Sequence, residues 1–157
     1  MSARLMPLRE KTWAFVGTPD ASSFEVGRFS VSANVIVVAF GNGEVDVLGV
    51  AEQASTNVPG LYLVHPSAAG ANLAIEVPGG PTVPLAASFA NFTPVKMELD
   101  LVDQTYAYSV GTASSSGKFT PALMSTNLVV VIGGQYTGGV SSAWHLQCDD
   151  VVIKVTR

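Results

Sequence analysis

The chain has 157 residues, a length suited to one domain. Charged residues make up 13% of it and hydrophobic ones 48%, with a mean hydropathy of +0.37, whereas an average soluble domain is about 25% charged. A net charge of −4 offers no basic face for nucleic acid, no apolar run reaches the roughly 18 residues of a membrane helix, the single Cys148 excludes an internal disulfide, and the apolar content excludes an intrinsically disordered chain.

Met1 to Lys11 lacks the apolar centre of a secretory signal, so no address for export is expected. Residues 1–12, with Arg4, Leu5, Met6, Leu8 and Arg9, read as an arm that docks on a neighbouring subunit. Residues 13–157 read as one domain. Fifteen Gly and nine Pro punctuate short runs rich in Val, Phe, Tyr and Thr, and no dozen residues hold a 3.6-residue apolar period. The expected fold class is all-β: an antiparallel two-sheet sandwich, a jelly roll of about eleven strands. The strands fall near Trp13–Val16, Phe24–Ser32, Val35–Phe40, Val45–Val50, Leu61–His65, Leu73–Val77, Val83–Phe89, Val95–Leu101, Tyr106–Val110, Leu128–Ile132 and Trp144–Val155.

Two features of these runs carry structural information. Val95, Met97, Leu99 and Leu101 alternate with Lys96, Glu98 and Asp100, the pattern of a strand with one buried and one wet face. A short turn then leads to Tyr106, Tyr108 and Val110, closing a hairpin at Gly111. Val35 to Phe40 has no polar residue on either face, as expected of a strand central in a sandwich or covered by a partner. In the last run Trp144, Leu146 and Cys148 are apolar at even positions, and Val151, Ile153 and Val155 at odd ones. A period of two cannot bury both sets on one face, so a bulge is expected at Asp149–Asp150.

The stretch Val95-Lys96-Met97-Glu98-Leu99-Asp100, the aromatic strand from Tyr106 to Gly111, Ile132-Gly133-Gly134 and the closing Asp149-Asp150-Val151-Val152-Ile153 together resemble the concanavalin A-like lectin/glucanase superfamily, in particular its laminin-G-like jelly rolls. The resemblance spans roughly residues 92–155. It implies a two-sheet jelly roll, and members include lectins, glycosidases, adhesion modules and structural proteins, so fold alone does not fix activity. Glucanases of the superfamily place three carboxylates along one strand as E-x-D-x-E or E-x-D-x-x-E. Here Glu44-Val45-Asp46 matches the first two, but Leu48 and Gly49 stand at the third, so the pair reads as a solvated strand face and no catalytic residue is assigned.

The remaining candidates are sparse. His65 and His145, the only histidines, lack the converging partners of a catalytic triad. His145, Gln147 and Asp149 share a strand face but form a poor ligand set, so no metal site is assigned. Calcium, held by Asp149 or Asp150 with loop carbonyls, is the one cofactor these acids would suit, although their simpler role is to accept bonds from backbone N–H groups freed by the bulge. Cys148 reads as an inert buried thiol. Tyr62, Tyr136 and Trp144 are candidate sugar platforms, with Gln135 as a polar partner.

With scarce charge, a strand apolar on both faces and an arm, the leading expectation is a non-enzymatic structural subunit. It would form a homo-oligomer or join other subunits in a larger particle, such as a bacteriophage capsid or tail, and so sit in a virion. The alternative is a carbohydrate-binding or adhesion module of the laminin-G-like type, with a glycan as partner, at an extracellular surface. A glycoside hydrolase enters only as a relic without a complete catalytic set.

Overall fold

A computed structural model describes residues 3–4, 15–17, 27–41, 43–52, 60–66, 72–77, 81–89, 91–119, 128–132, 136–137 and 144–156. Among them lie thirteen strands: β1 (Ala3–Arg4), β2 (Phe15–Gly17), β3 (Arg28–Ala39), β4 (Glu44–Glu52), β5 (Gly60–Pro66), β6 (Leu73–Glu76), β7 (Val83–Leu85), β8 (Thr93–Asp100), β9 (Thr105–Val110), β10 (Ala113–Lys118), β11 (Leu128–Ile132), β12 (Tyr136–Thr137) and β13 (His145–Thr156). All pairings are antiparallel. The first sheet runs β1-β13-β3-β8-β9-β10 and the second β2-β11-β4-β5-β6-β7, with β12 also on β4. The expected all-β sandwich is therefore present.

The strand count differs from eleven for physical reasons. The runs near Phe24–Ser32 and Val35–Phe40 are one twelve-residue strand, β3, because Ala33 and Asn34 continue its alternation, Ala33 buried and Asn34 turned outward. β10 reads Ala-Ser-Ser-Ser-Gly-Lys and offers no apolar signal, and β1 and β12 are two residues each.

Register explains the core. Phe29, Val31 and Ala33 of β3 face Leu99, Met97 and Val95 of β8, which in turn face Tyr106, Tyr108 and Val110 of β9. All nine are buried, each contributing about 1.5–3 kcal/mol when large and fully enclosed. Their alternates, among them Ser30, Ser32, Lys96, Glu98, Ala107 and Ser109, form the outer face. At the β8–β9 turn, Asp100 Oδ1 accepts the backbone N–H of Val102 and of Asp103, both at 3.0 Å, and Gln104 closes the turn at φ 54°. The β9–β10 connection is the two-residue Gly111-Thr112, where Gly111 takes φ 58° as such hairpin turns require.

On β3, Val35 and Val37 are core while Ile36 is half-buried and Val38 is 49% exposed. The strand thus has one core face and one partly wet apolar face. The expected bulge in β13 is found. Asp149 pairs with Asn34 and Val152 with Ser32, so Asp150 and Val151 both stand opposite Ala33. Cys148 and Leu146 before the bulge, and Ile153 and Val155 after it, consequently share the inner face against Val35, Val37, Val31 and Phe29. Val151, expected with the latter pair, instead sits in the bulge itself and is exposed. Phe24 to Val26 lie outside the described residues.

Candidate functional site

The second sheet carries the one buried charged side chain among the described residues, Asp46 on β4, at 7% exposure. β4 begins after Gly43, whose φ of 73° turns the chain. Its register against β5 slips once: Asp46 pairs with Val64 but Leu48 with Leu63. Val47 is the extra residue. Before this bulge Val45 faces the core and Glu44 and Asp46 face outward. After it, Leu48 and Val50 take the core side. Val45, Val47, Leu48 and Val50 are all fully buried. Tyr108 of the opposite sheet donates its hydroxyl to the Leu48 carbonyl at 3.2 Å, joining the two sheets through the core at this irregularity.

The third carboxylate comes from another strand. Glu76 of β6 pairs with Tyr62 of β5, which pairs with Gly49 of β4, placing Glu76 two strands from Asp46 in the same sheet. Burial pushes the Asp46 carboxyl from its ordinary 3.8 up to about 7, and the negative charges of Glu76 and then Glu44 push it the same way. Burial also raises Glu76, with Glu44 adding to it. These are the environments that tune carboxyls for proton transfer near neutral pH.

The expectation of a solvated Glu44–Asp46 pair is corrected for Asp46. The phase switch from Val45 and Val47 to Leu48 and Val50 was the available sign of a bulge here. Glu76 had no such signal, because only long-range pairing brings it close. Among the described residues no three His, Cys, Asp or Glu side chains converge as a metal would require.

Other sequence candidates are placed as follows. Trp144 is 2% exposed and meets Phe40 edge-on at 5.7 Å and 61°, so it packs rather than presents a platform. The backbone of Tyr136 pairs with Val45 and that of Tyr62 lies between Gly49 and Glu76, so both stand on strands flanking the carboxylates. Gln135, Leu5, Met6, Leu8 and Arg9 lie outside the described residues. Arg4 is on β1, its backbone paired with Gln147 of the same chain. Asp149 Oδ1 accepts the backbone N–H of Asp150 at 2.9 Å, the role expected at the bulge, whereas Asp150 Oδ2 accepts from the side-chain Nδ2 of Asn34 at 3.1 Å. His65 pairs through its backbone with Val45, and His145 Nε2 is buried with no hydrogen-bond partner among the described residues. Cys148 is buried and its thiol pushed up to about 11 by desolvation, which leaves it unreactive as a thiolate.

No protein-family model and no curated protein matches the chain. Solved structures do. An alginate lyase from Pseudomonas aeruginosa aligns with TM-score 0.64 at 12% identity, over 83% of this chain and 65% of that one. A family 7 alginate lyase solved with its substrate aligns at 0.65 and 11% identity, over 88% and 65%. A Trypanosoma rangeli sialidase in complex with sialic acid aligns at 0.60 and 17% identity, over 80% and 20%. The chain thus spans a fifth of the sialidase and just under two thirds of the lyases. At these identities the likeness establishes a jelly-roll β-sandwich.

Two expectations are corrected by these neighbours. The reading as a non-enzymatic structural subunit of a capsid or tail, and with it the assignment as not an enzyme, rested on sparse charge and an incomplete carboxylate set. The matched folds belong to enzymes that act on carbohydrates, and the set is enlarged here by Glu76. The alternative of a carbohydrate-binding or adhesion module gains no better support from them.

Proposed function

We propose that the chain is a carbohydrate-active enzyme that cleaves glycosidic bonds on the outer face of its second sheet, with Asp46 as the proton-transfer group and Glu76 as its partner carboxylate. The observation that carries this reading is Asp46 itself: a carboxyl enclosed beside two others and held near 7, so that acid and base forms are both populated at neutral pH. Protonated Asp46 gives its proton to the glycosidic oxygen as the bond to the anomeric carbon breaks. Glu76, whose charge acts on Asp46 more strongly than that of Glu44, is the second carboxylate. It stabilises the developing oxocarbenium charge and receives the proton of the attacking water or attacks the anomeric carbon itself, the two roles open to such a pair.

Charge also favours a substrate class. The described side chains of the second sheet include no Lys or Arg, and three carboxylates repel a polyanion, so an uncharged glycan is the better substrate. The strand Val95–Asp100, the aromatic strand to Gly111 and the closing Asp149–Ile153 segment support a place among the concanavalin A-like, laminin-G-like jelly rolls.

The test is reducing-end release from a panel of neutral polysaccharides, with polyuronates alongside. Asp46→Asn is expected to lower the rate by about 10²–10⁴-fold, and the wild-type rate to fall as pH rises through about 7, where the donor form is lost. Full activity in Asp46→Asn, or cleavage of none of the panel, would sink the reading.

A further inference from the structure

The outer face of the first sheet presents a second site, unrelated to the carboxylates of the second. Register arranges it in rows across five strands. One row reads Thr156, Arg28, Asp100, Thr105, Lys118 and the next Lys154, Ser30, Glu98, Ala107, Ser116, each written from β13 through β3, β8 and β9 to β10. A groove of about 740 Å³ lies over these two rows, within the usual size of a small-ligand site.

The cations stand at its two ends, Lys154 and Arg28 at one and Lys118 at the other. Four strand spacings separate β13 from β10, about 19 Å. Arg28 is fixed in place: its Nε donates to Asp100 Oδ2 at 2.9 Å while the side chain is 75% exposed, and Asp100 is itself held by the Val102 and Asp103 N–H groups. Only Nε is thereby spent, which leaves the terminal N–H donors of a residue that lines the groove. Lys118 and Lys154 have no carboxylate in ion-pair range among the described residues. The middle is different in kind, with hydroxyls and the two carboxylates of Glu98, paired with Lys96, and Asp100, paired with Arg28, whose remaining lone pairs accept hydrogen bonds.

A ligand that fits carries separate anionic groups joined by a hydroxyl-rich centre. A continuous phosphate backbone does not, since between the end cations it would meet only hydroxyls and carboxylates already ion-paired. We propose that this groove binds an acidic oligosaccharide, its anionic groups held by Arg28, Lys154 and Lys118 and its hydroxyls by Glu98 and Ser30. Carboxylated and sulfated sugars share this chemistry.

Isothermal titration of the full chain with an oligogalacturonate, a heparin-derived hexasaccharide, maltohexaose and duplex DNA separates them. Binding of either acidic sugar but not maltohexaose is expected, weakening as salt rises to about 0.15 M, and the acidic sugar that binds identifies the anion. Lys118→Glu with Lys154→Glu, both at exposed positions, should weaken it at least about tenfold, the effect of losing a charge-assisted contact or two. Asp46→Asn should leave it unchanged, which keeps this site distinct from the cleavage reaction. Equal binding of maltohexaose or duplex DNA, no binding of either acidic sugar, or wild-type affinity in the double variant would overturn the proposal.

Discussion

The outer faces of the two sheets treat the same side chain in opposite ways. On the first sheet Asp100 accepts the N–H of Asp103, the guanidinium of Arg28 and the N–H of Val102, and is held below its ordinary carboxylate range. On the second sheet Asp46 is enclosed, has Glu76 and Glu44 as its neighbouring charges, and is held far above it. The division extends to whole faces. Every described Lys and Arg side chain, Arg28, Lys96, Lys118 and Lys154, lies on the outer side of the first sheet together with Glu98 and Asp100, while Glu44, Asp46 and Glu76 lie on the second with no described cation. Among the described side chains, the first sheet's outer face thus mixes both signs and the second sheet's carries carboxylates alone. The composition, sparse in charge overall, conceals this because it records how many charges there are and not which face carries them.

The sharpest way to break this contrast is to remove the enclosed carboxylate. Asp46 is neutral in acid whether the chain is folded or not. As pH rises from its ordinary 3.8, the unfolded chain ionises first, and the folded state bears the full penalty only above about 7. The stabilising contribution of its neutral form is thus present below 3.8 and lost by the time pH passes about 7. Urea unfolding of Asp46→Asn should match wild type near pH 4 and exceed it at pH 8, by on the order of 4 kcal/mol. Equal stability at both pH values would show that Asp46 is not held up as described.

The link between the faces is the next target. Tyr108→Phe removes the hydroxyl donated to the Leu48 carbonyl across the core and should lower unfolding free energy by about 1–3 kcal/mol at all pH values between 5 and 8. A flat result would mean that the carbonyl at the Val47 bulge finds another donor. On the exposed face the effect should be smallest. Lys96 and Glu98 pair at 2.6 Å, but their side chains are 49% and 55% exposed, and Lys96→Ala should change stability by less than about 0.5 kcal/mol. A larger loss would place more structural weight on that face than its solvation allows.

How much of this was readable in the residues depended on whether neighbours along the chain or neighbours in space carried the information. The β8–β9 hairpin is written in local alternation, Val95-Met97-Leu99 and then Tyr106-Tyr108-Val110, and is present. So is the bulge at Asp149–Asp150, because a change of apolar phase in one strand is a local signal. The Val47 bulge carries the same signal, weakened because Val45, Val47, Leu48 and Val50 leave few polar residues to mark the outer face. β10 was missed because an edge strand of serines lacks the pattern that burial imposes. The site was half legible. Glu44 and Asp46 were found as a motif, yet the completing carboxylate lies some thirty residues on and approaches only through the β4–β5–β6 ladder. Burial of Asp46, which gives it a chemical role, is a property of the folded sheet alone.

The bulge in β13 has a further consequence for how this chain can vary among descendants. Asp150 and Val151 share one partner, Ala33, so the strand holds one residue more than its ladder uses, with Asp150 at φ 52° taking up the slack. Loss of that residue from the gene would restore strict alternation and leave Ile153 opposite Val31 and Val155 opposite Phe29. A deletion that would invert every following side chain of an ordinary strand would here turn only Val151 inward, opposite the buried Ala33.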